Sequence, residues 1–265
     1  MLFRSRLLIE GLKTEPLISL VTGLGNDLVS ALEIHTAPER RELLRADIAS
    51  ELEAILKNST PGSDIQLQLA KVFAAIASTP EQIAFTRAML NGELSGLTVD
   101  RDLRWYFMKA LAERGAIATS EIDEVLVADN TVNGQLSHAE AVAALPDAAG
   151  KTETWKRLTA DQISTSQREH VSRGFMRPRQ SELLESFVSP YFDGLLKMWN
   201  STSYEEASAS VELLYPKYVI TQGTLDTTDA WLAGAGATAP DGLRRIVLEG
   251  RDALSRSLRI QVRDK

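Results

Sequence analysis

The chain has 265 residues, a formal net charge of −7 and no cysteine. Apolar residues make up 44% and charged residues 25%, which excludes disordered, collagen-like and disulfide-stapled proteins. Without cysteine there is no thiol catalysis and no thiolate metal site. The negative charge argues against nucleic acid or anionic lipid as a partner of the whole surface.

The start of the chain and its apolar runs bear on the membrane and the cell compartment. The longest uninterrupted apolar run, residues 72–77, is far shorter than the roughly 18 residues that a transmembrane helix needs. Charged residues interrupt the apolar start, so it does not resemble a secretory signal. We therefore expect a cytoplasmic chain without a membrane partner.

Helix-start signals recur along the chain. In a capping box, a Ser or Thr hydroxyl accepts from the N3 amide, and a Glu or Gln three residues on bonds back. Six pairs fit this pattern: Thr36/Glu39, Ser63/Gln66, Thr79/Gln82, Ser137/Glu140, Thr159/Gln162 and Ser203/Glu206. Pro38 and Pro80 lie near first-turn positions, where a missing amide hydrogen costs little. These signals predict a succession of helices.

Apolar residues between these signals recur at spacings of three and four, which is typical of helices with one buried face. The first stripe consists of Leu69, Val72, Phe73 and Ile76. The second stripe consists of Leu184, Phe187, Val188, Tyr191 and Leu195. We expect Pro190 to kink or split the second helix. The last segment predicts an amphipathic helix whose apolar face consists of Leu243, Ile246, Val247, Leu254, Leu258 and Val262.

The fold class follows from the scarcity of strand signals. Residues 125–128 and 218–221 are short and lack a partner across a tight turn, so we predict an all-α chain. About a dozen helices with short loops favour paired antiparallel helices stacked into a curved, HEAT-like solenoid, although no fixed repeat is visible. We expect an N-terminal helical segment over residues 1–93 and a main helical-repeat region over residues 94–265, continuous as one superhelical domain.

Familiar catalytic and cofactor motifs are missing from the sequence. The histidines His35, His138 and His170 are isolated, so none forms the H-E-x-x-H zinc motif, and we interpret them as structural or exposed. A proton-transfer role for His170 is the open alternative. Residues 234–239 match the loose G-x-G-x-x-A pattern, but a helix rather than a strand precedes them, which favours a loop. No P-loop or nucleophile elbow occurs, so we predict no catalytic residue in this chain.

Residues 168–179 depart from the acidic average, with four arginines against one glutamate. Arginine presents a planar fork of donors that suits a carboxylate, so a peptide C-terminus or an acidic side chain is a candidate ligand. The alternative is that these arginines lie on a solvated loop or in ion pairs between helices. Nucleic acid is a poor candidate, because the rest of the chain would repel it.

Several strings occur together in the order found in one protein family. They are GSDIQ at 62–66, GLTVDRDLRW at 96–105, LAERG at 111–115, DNTVNG at 129–134, KTETW at 151–155, QSELL at 180–184 and EGRD at 249–252. Residues 60–264 thereby resemble the C-terminal helical domain of the aminopeptidase N family of zinc metalloaminopeptidases, of the bacterial lysyl/alanyl type. The first sixty residues match more loosely.

This resemblance implies a role without chemistry of its own. The family's zinc site belongs to a preceding thermolysin-like domain, and neither its zinc motif nor its Gly-rich motif is in this chain. Zinc is therefore expected in the catalytic domain of a parent polypeptide, with this chain as a lid that encloses the peptide substrate and excludes water. Its partners would be that catalytic domain and the peptide.

The resemblance also gives candidate substrate-binding residues. They are Arg104, Trp105, Lys109, Arg173, Phe175, Arg177, Arg179 and Gln180. A Trp on an apolar helix stripe is commonly a core residue, and Arg104 could instead form a buried ion pair. Two other functions stay open: a free-standing helical-repeat scaffold that binds a protein or peptide, and a small-molecule enzyme that uses carboxylates in a helical cavity.

Overall fold

A computed structural model describes residues 2–160 and 163–264 of the chain. These residues form fifteen α-helices and no strand, so the prediction of an all-α fold is confirmed. The helices are α1 (Leu2–Thr14), α2 (Ile18–Ser30), α3 (Pro38–Asn58), α4 (Asp64–Ile76), α5 (Pro80–Leu90), α6 (Arg101–Glu113), α7 (Thr119–Ala128), α8 (Val132–Ala143), α9 (Ala148–Leu158), α10 (Thr165–Phe175), α11 (Ser181–Glu185), α12 (Val188–Asn200), α13 (Tyr204–Leu214), α14 (Gln222–Ala233) and α15 (Asp241–Arg263). A π-helix spans Ala31–His35, and 3₁₀ helices span Pro178–Gln180 and Ala235–Thr238.

The chain divides into two compact units. Unit 1 comprises Met1–Leu111 with Ile260–Lys265, and unit 2 comprises Ala112–Arg259. The predicted division between residues 93 and 94 is a different one and stays a prediction. The stacking of helix pairs into a curved solenoid also stays a prediction.

Unit 1 is built around the apolar stripes of its first four helices. Helix α4 packs against α2 and α3, and its predicted stripe is buried, with Phe73 and Ile76 fully inaccessible. Gly25 of α2 allows a close approach, because a Cβ there would lie 2.4 Å from a methyl group of Val72. Such interdigitated packing makes the unit sensitive to changes in side-chain volume.

The last residues of the chain belong to unit 1 and are tied to its π-helix. The Gln261 amide donates to the Ile34 carbonyl over 2.7 Å, and the backbone amide of Ala37 donates to Asp264 over 3.0 Å. Arg40 adds an ion pair of 3.3 Å to Asp264, whose side chain is 2% exposed. The C-terminal end of α15 thus satisfies polar groups where the π-helix ends and α3 begins.

Unit 2 is centred on α8, α10, α12 and α13. Its buried core includes Phe175, Tyr191, Leu195 and Val211. Helix α8 packs against α10, and Gly174 makes this possible, because a Cβ there would lie 2.1 Å from the Glu140 carbonyl oxygen. The Tyr191 hydroxyl donates to the Val211 carbonyl over 2.9 Å, which satisfies a buried polar group.

Three of the predicted helix caps are confirmed. Ser63, Thr79 and Ser203 each accept the amide of the residue three positions on, and Thr79 with Gln82 forms a complete capping box. The other two pairs lack the second bond of a capping box. Gln66 accepts from the amide of Gly62 rather than from that of Ser63, and Glu206 accepts from the hydroxyl of Thr165.

The other predicted caps are wrong or lie outside the described residues. The Thr36 hydroxyl, directly after the π-helix, donates to the carbonyl of Ala31, and Ala37 is the residue that precedes α3. Ser137 lies inside α8, which Thr131 caps. Thr159 follows the end of α9, and Gln162 lies outside the described residues. The capping-box pattern also occurs by chance at positions where no helix begins, because Ser and Thr hydroxyls can bond to nearby backbone groups in other ways.

The helix split at Pro190 and the final amphipathic helix are largely confirmed. The chain breaks between α11 and α12, and Pro190 lies in the first turn of α12, where it is tolerated. In α15, Leu243, Val247 and Leu254 are buried as predicted, whereas Val262 is 66% exposed. Residues 234–239 end α14 and form a 3₁₀ turn, so the loop interpretation of the glycine pattern is correct.

Candidate functional site

Three of the predicted substrate-binding residues lie on α6 in unit 1. Arg104 is exposed and forms no ion pair with the described residues. Trp105 is 3% exposed and is part of the core, which agrees with the alternative given for it. Lys109 is half-buried one turn further on. Only Arg104 therefore presents its side chain fully to solvent, and the role of all three towards a peptide stays a prediction.

The other five predicted residues lie together in unit 2, at the end of α10 and in the segment that follows. We call residues 176–180, which carry Arg177 and Arg179, the arginine turn. Arg173 is exposed and bonds to Glu169 one helical turn earlier. Phe175 is 1% exposed and packs against both Trp155 and Phe187, with ring centroids 5.8 and 5.0 Å away. Arg173 and Phe175 thus face opposite environments.

Arg177 belongs to a partly buried polar group with Glu140 and His170. Its guanidinium donates to one Glu140 oxygen over 3.0 Å, and His170 Nδ1 lies 2.9 Å from the other oxygen. The Glu140 side chain is 8% exposed, so two donors compensate a carboxylate that is almost out of water. The sequence placed His170 among arginines, but its ring contacts a carboxylate.

Two buried side chains connect helix ends around the arginine turn. The Gln180 amide donates to the carbonyls of Glu113 and Ala144, over 2.9 and 2.7 Å, at the ends of α6 and α8. Lys151 Nζ donates to Ala143 over 2.8 Å and to Phe175 over 2.9 Å, and it lies 3.4 Å from the Gly174 carbonyl oxygen. Helix ends lack amide partners for their last carbonyls, and these two side chains supply the donors.

The electrostatics of Lys151 set it apart from the other lysines. Its side chain is 1% exposed, and its Nζ lies 5.3 Å from the centroid of the Phe175 ring. Burial, helped by the positive charge of Arg177 and opposed by Glu113, lowers the pKa of Lys151 to about 7. Its proton is therefore loosely held near neutral pH.

Sequence reasoning missed Lys151, Glu140 and Glu113 as members of this group. One signal was present for Lys151: it lies four residues before Trp155, so both project from one face of α9. A lysine on the apolar face of a helix needs buried acceptors. No comparable signal exists for Glu140, because its partners come from residues 30 and 37 positions away.

The described residues offer neither a metal-binding cluster nor a membrane-spanning helix. Among residues 2–160 and 163–264, no group of three or more His, Cys, Asp or Glu side chains could hold a metal ion. None of the helices described is both long enough and apolar enough to cross a membrane.

Two comparisons with known proteins show which family the chain resembles. The family model of the ERAP1-like C-terminal domain matches residues 7–256. The chain belongs to this family. The chain is also 38% identical over 261 residues to Aminopeptidase N of Streptomyces lividans, a match that covers 97% of the chain. The predicted resemblance to the C-terminal domain of the aminopeptidase N family is thereby confirmed.

The same comparison limits what membership of the ERAP1-like family establishes. The chain spans 30% of the length of the Streptomyces relative. It is thus the C-terminal domain of an aminopeptidase N-like protein, and the activity of the whole relative reaches it only as a proposal. The group around Lys151 and Arg177 places buried charge next to the predicted arginine residues of unit 2.

Proposed function

We propose that the chain is the non-catalytic C-terminal domain of a zinc aminopeptidase. It encloses the substrate chamber and positions peptides whose N-terminal residue is removed by a separate thermolysin-like domain. One observation carries the proposal: the match to Aminopeptidase N covers 97% of this chain but 30% of that relative. Because nearly the whole chain matches less than a third of the relative, the match supports a role as one domain of a larger enzyme.

In this proposal zinc is bound outside this chain, and the side chains present support that. Its three histidines lie far apart in sequence, and His138 and His170 contact the carboxylates of Asp123 and Glu140 over 2.7 and 2.9 Å. Zinc sites need three or four ligands in a fixed geometry. The metal would therefore sit in the catalytic domain, and this chain would contribute confinement and orientation.

The arginine turn and Arg173 supply charge for positioning a peptide. The Arg173–Glu169 pair is half-exposed, with side-chain exposures of 51% and 46%. Such a pair is weak and exchanges readily. Arg173 can therefore turn to a peptide carboxylate without leaving a buried charge behind. The buried partners of Arg177 and Gln180 keep the neighbouring backbone in place while it does so.

An exposed apolar surface in unit 1 is a candidate contact surface for the catalytic domain. Leu17, Ile18 and Leu20 are 59%, 39% and 51% exposed at the start of α2. Beside them, Pro16 borders a cleft of about 920 Å³ whose base includes Leu12 and Leu69. Clustered apolar surface of this kind is typical of a protein contact.

The test is to mix this chain with the thermolysin-like domain of its parent, expressed separately. We expect the two to associate and the mixture to change how hydrolysis depends on peptide length. The chain alone should not hydrolyse aminoacyl chromogenic substrates. Turnover by the chain alone that survives removal of metal would contradict the proposal, as would failure to associate.

A matched pair of variants locates the interface. Leu20→Glu places a charge in the exposed apolar surface and should weaken association. Val132→Glu, at a residue that is 74% exposed at the start of α8, should leave association unchanged. Equal effects of the two variants would reject this surface. A chain that binds peptides but no catalytic domain would instead support the free-standing scaffold.

A further inference from the structure

Lys151 connects two helix ends to each other. Ala143 is the last residue of α8, and Gly174 and Phe175 are the last two residues of α10. The Lys151 nitrogen lies 2.8 Å from the Ala143 oxygen and 2.9 Å from the Phe175 oxygen, with the Gly174 oxygen further away at 3.4 Å. A neutral amine has two N–H donors, which is the number of short bonds here.

The charged and titratable groups near Lys151 lie on α6, α8, α10 and the arginine turn. Arg177 on the arginine turn repels a charged ammonium, and Glu113 at the end of α6 attracts one. Glu140 of α8 is already engaged by Arg177 and by His170 of α10. The backbone amide of Arg179 donates to Glu113 over 3.4 Å. No described carboxylate forms an ion pair with Lys151 itself.

A third proton on Lys151 would therefore change the electrostatic energy of the arginine turn. It would place a second positive charge beside Arg177, in a region that water does not screen. An exposed lysine holds its proton far more tightly than this buried one, so proton uptake favours any state in which Lys151 reaches water. The carbonyls of Gly174 and Phe175, which lead into the turn, would lose their donor in that state.

We propose that Lys151 is a positioning residue that couples the arginine turn to pH. The turn is held most firmly when the amine is neutral, and proton uptake opens it. This inference deepens the proposed function, on which its consequence for peptides rests: the guanidinium groups of Arg177 and Arg179 would be presented in one place only while the turn is closed.

The test uses the whole chain and needs no peptide. The ¹³Cε signal of Lys151 is followed from pH 5 to 11. Hydrogen exchange of the amides of residues 176, 177, 179 and 180, corrected for the intrinsic pH dependence, is measured from pH 6 to 9. We expect Lys151 to titrate near neutrality and protection in the turn to be flat below pH 7. Above about pH 8 protection should rise by up to about tenfold per pH unit.

Two variants serve as a matched comparison. Lys151→Met removes the titrating group and should abolish the pH dependence of protection. Lys156→Met, on the same helix and in an exposed pair with Glu153, should keep it. The proposal is overturned if Lys151 titrates above about pH 10 like an ordinary lysine, or if Lys151→Met keeps the pH dependence. Should Lys151→Met fail to fold, the titration of the wild-type signal decides alone.

Failure of the proposed function gives a different result. A chain that binds no peptide carboxylate, yet shows the Lys151 titration and the opening of the turn, would reject the proposed function and keep this inference. Peptide binding that stays constant from pH 6 to 9, with an ordinary Lys151 titration, would do the reverse.

Discussion

Among the residues whose burial is described, each unit contains one almost completely buried cation, and the two have different partners. Arg45 in unit 1 and Lys151 in unit 2 are both 1% exposed. Arg45 bonds to the carboxylate of Glu33 over 2.6 Å and also to Glu42. Within the described parts of the chain, Lys151 donates only to backbone carbonyls. Unit 1 thus buries a compensated charge, whereas unit 2 buries a cation whose acceptors carry only partial charges.

This difference shows in the pKa values. Burial by itself lowers the pKa of Arg45, but the charges of Glu33 and Glu42 outweigh it, so the pKa is raised. No described carboxylate pairs with Lys151, and burial lowers its pKa to about 7. A buried cation with carboxylate partners keeps its charge and fixes the fold, whereas one with carbonyl partners becomes sensitive to pH.

The largest expected effect is from breaking the buried pair in unit 1. Arg45→Met removes the cation that pairs with the buried carboxylate of Glu33, so we expect a loss of about 4 kcal/mol in the free energy of unfolding. Urea unfolding measures it, with the Trp105 indole signal in NMR reporting on unit 1. Arg256→Met removes a cation from an exposed pair with Asp252 and should cost less than about 0.5 kcal/mol. Similar losses in both variants would refute the distinction.

A double substitution sharpens this prediction. Replacing both members of the buried pair, Arg45→Met with Glu33→Leu, removes both buried charges; Glu42, the other carboxylate that Arg45 contacts, has a side chain that is 76% exposed and stays in water. Apolar replacement of a buried pair is often neutral. The double variant should therefore recover most of the stability that Arg45→Met loses. If it is as unstable as the single variant, the loss comes from packing rather than from charge.

The next largest effect is in unit 2, where α8 and α10 approach closely. In Gly174→Ala, the new methyl group would lie 2.1 Å from the Glu140 oxygen and 2.9 Å from the Ala143 Cβ. The helices must separate, and we expect a loss of about 3 kcal/mol, measured by urea unfolding. Gly194→Ala in α12 is the control, since no described atom lies within 4 Å of a Cβ there. A loss no greater than in the control would mean that the helices can yield.

The sequence revealed the helical class and most of the buried stripes because these depend on spacing within one segment. Leu69, Val72 and Phe73 were recognisable for that reason. The site was less accessible to prediction. Arg177 was found from composition, but its partner Glu140 is 37 residues away, and Ser137/Glu140 was misread as a helix start. Long-range pairing leaves no local trace, so only the structure reveals the buried group.

A smaller effect is expected from Lys151, which should make the folded chain more stable as pH rises. Its pKa is about 7 in the folded chain and 10.5 for an ordinary lysine. Between these values the unfolded chain binds more protons than the folded one, so this group makes folding more favourable as pH rises. Between pH 7 and pH 9 the free energy of unfolding of the wild-type chain should rise by about 2 kcal/mol more than that of Lys151→Met. Urea unfolding at both pH values measures it, and parallel pH profiles of the two proteins would contradict it.

The smallest effect on stability is expected at Arg173, the cation most open to water in this region. Arg173→Gln breaks a half-exposed pair with Glu169 and should change the free energy of unfolding by less than about 0.5 kcal/mol. Under the proposed function, the Arg173 guanidinium would bind the substrate carboxylate in the parent enzyme and contribute on the order of 1 kcal/mol, so KM for peptides with a free C-terminus should rise about fivefold. KM for the same peptides with a C-terminal amide should not change. An equal rise for both peptides would mean that Arg173 acts on the shape of the domain, because only a direct contact distinguishes a carboxylate from an amide.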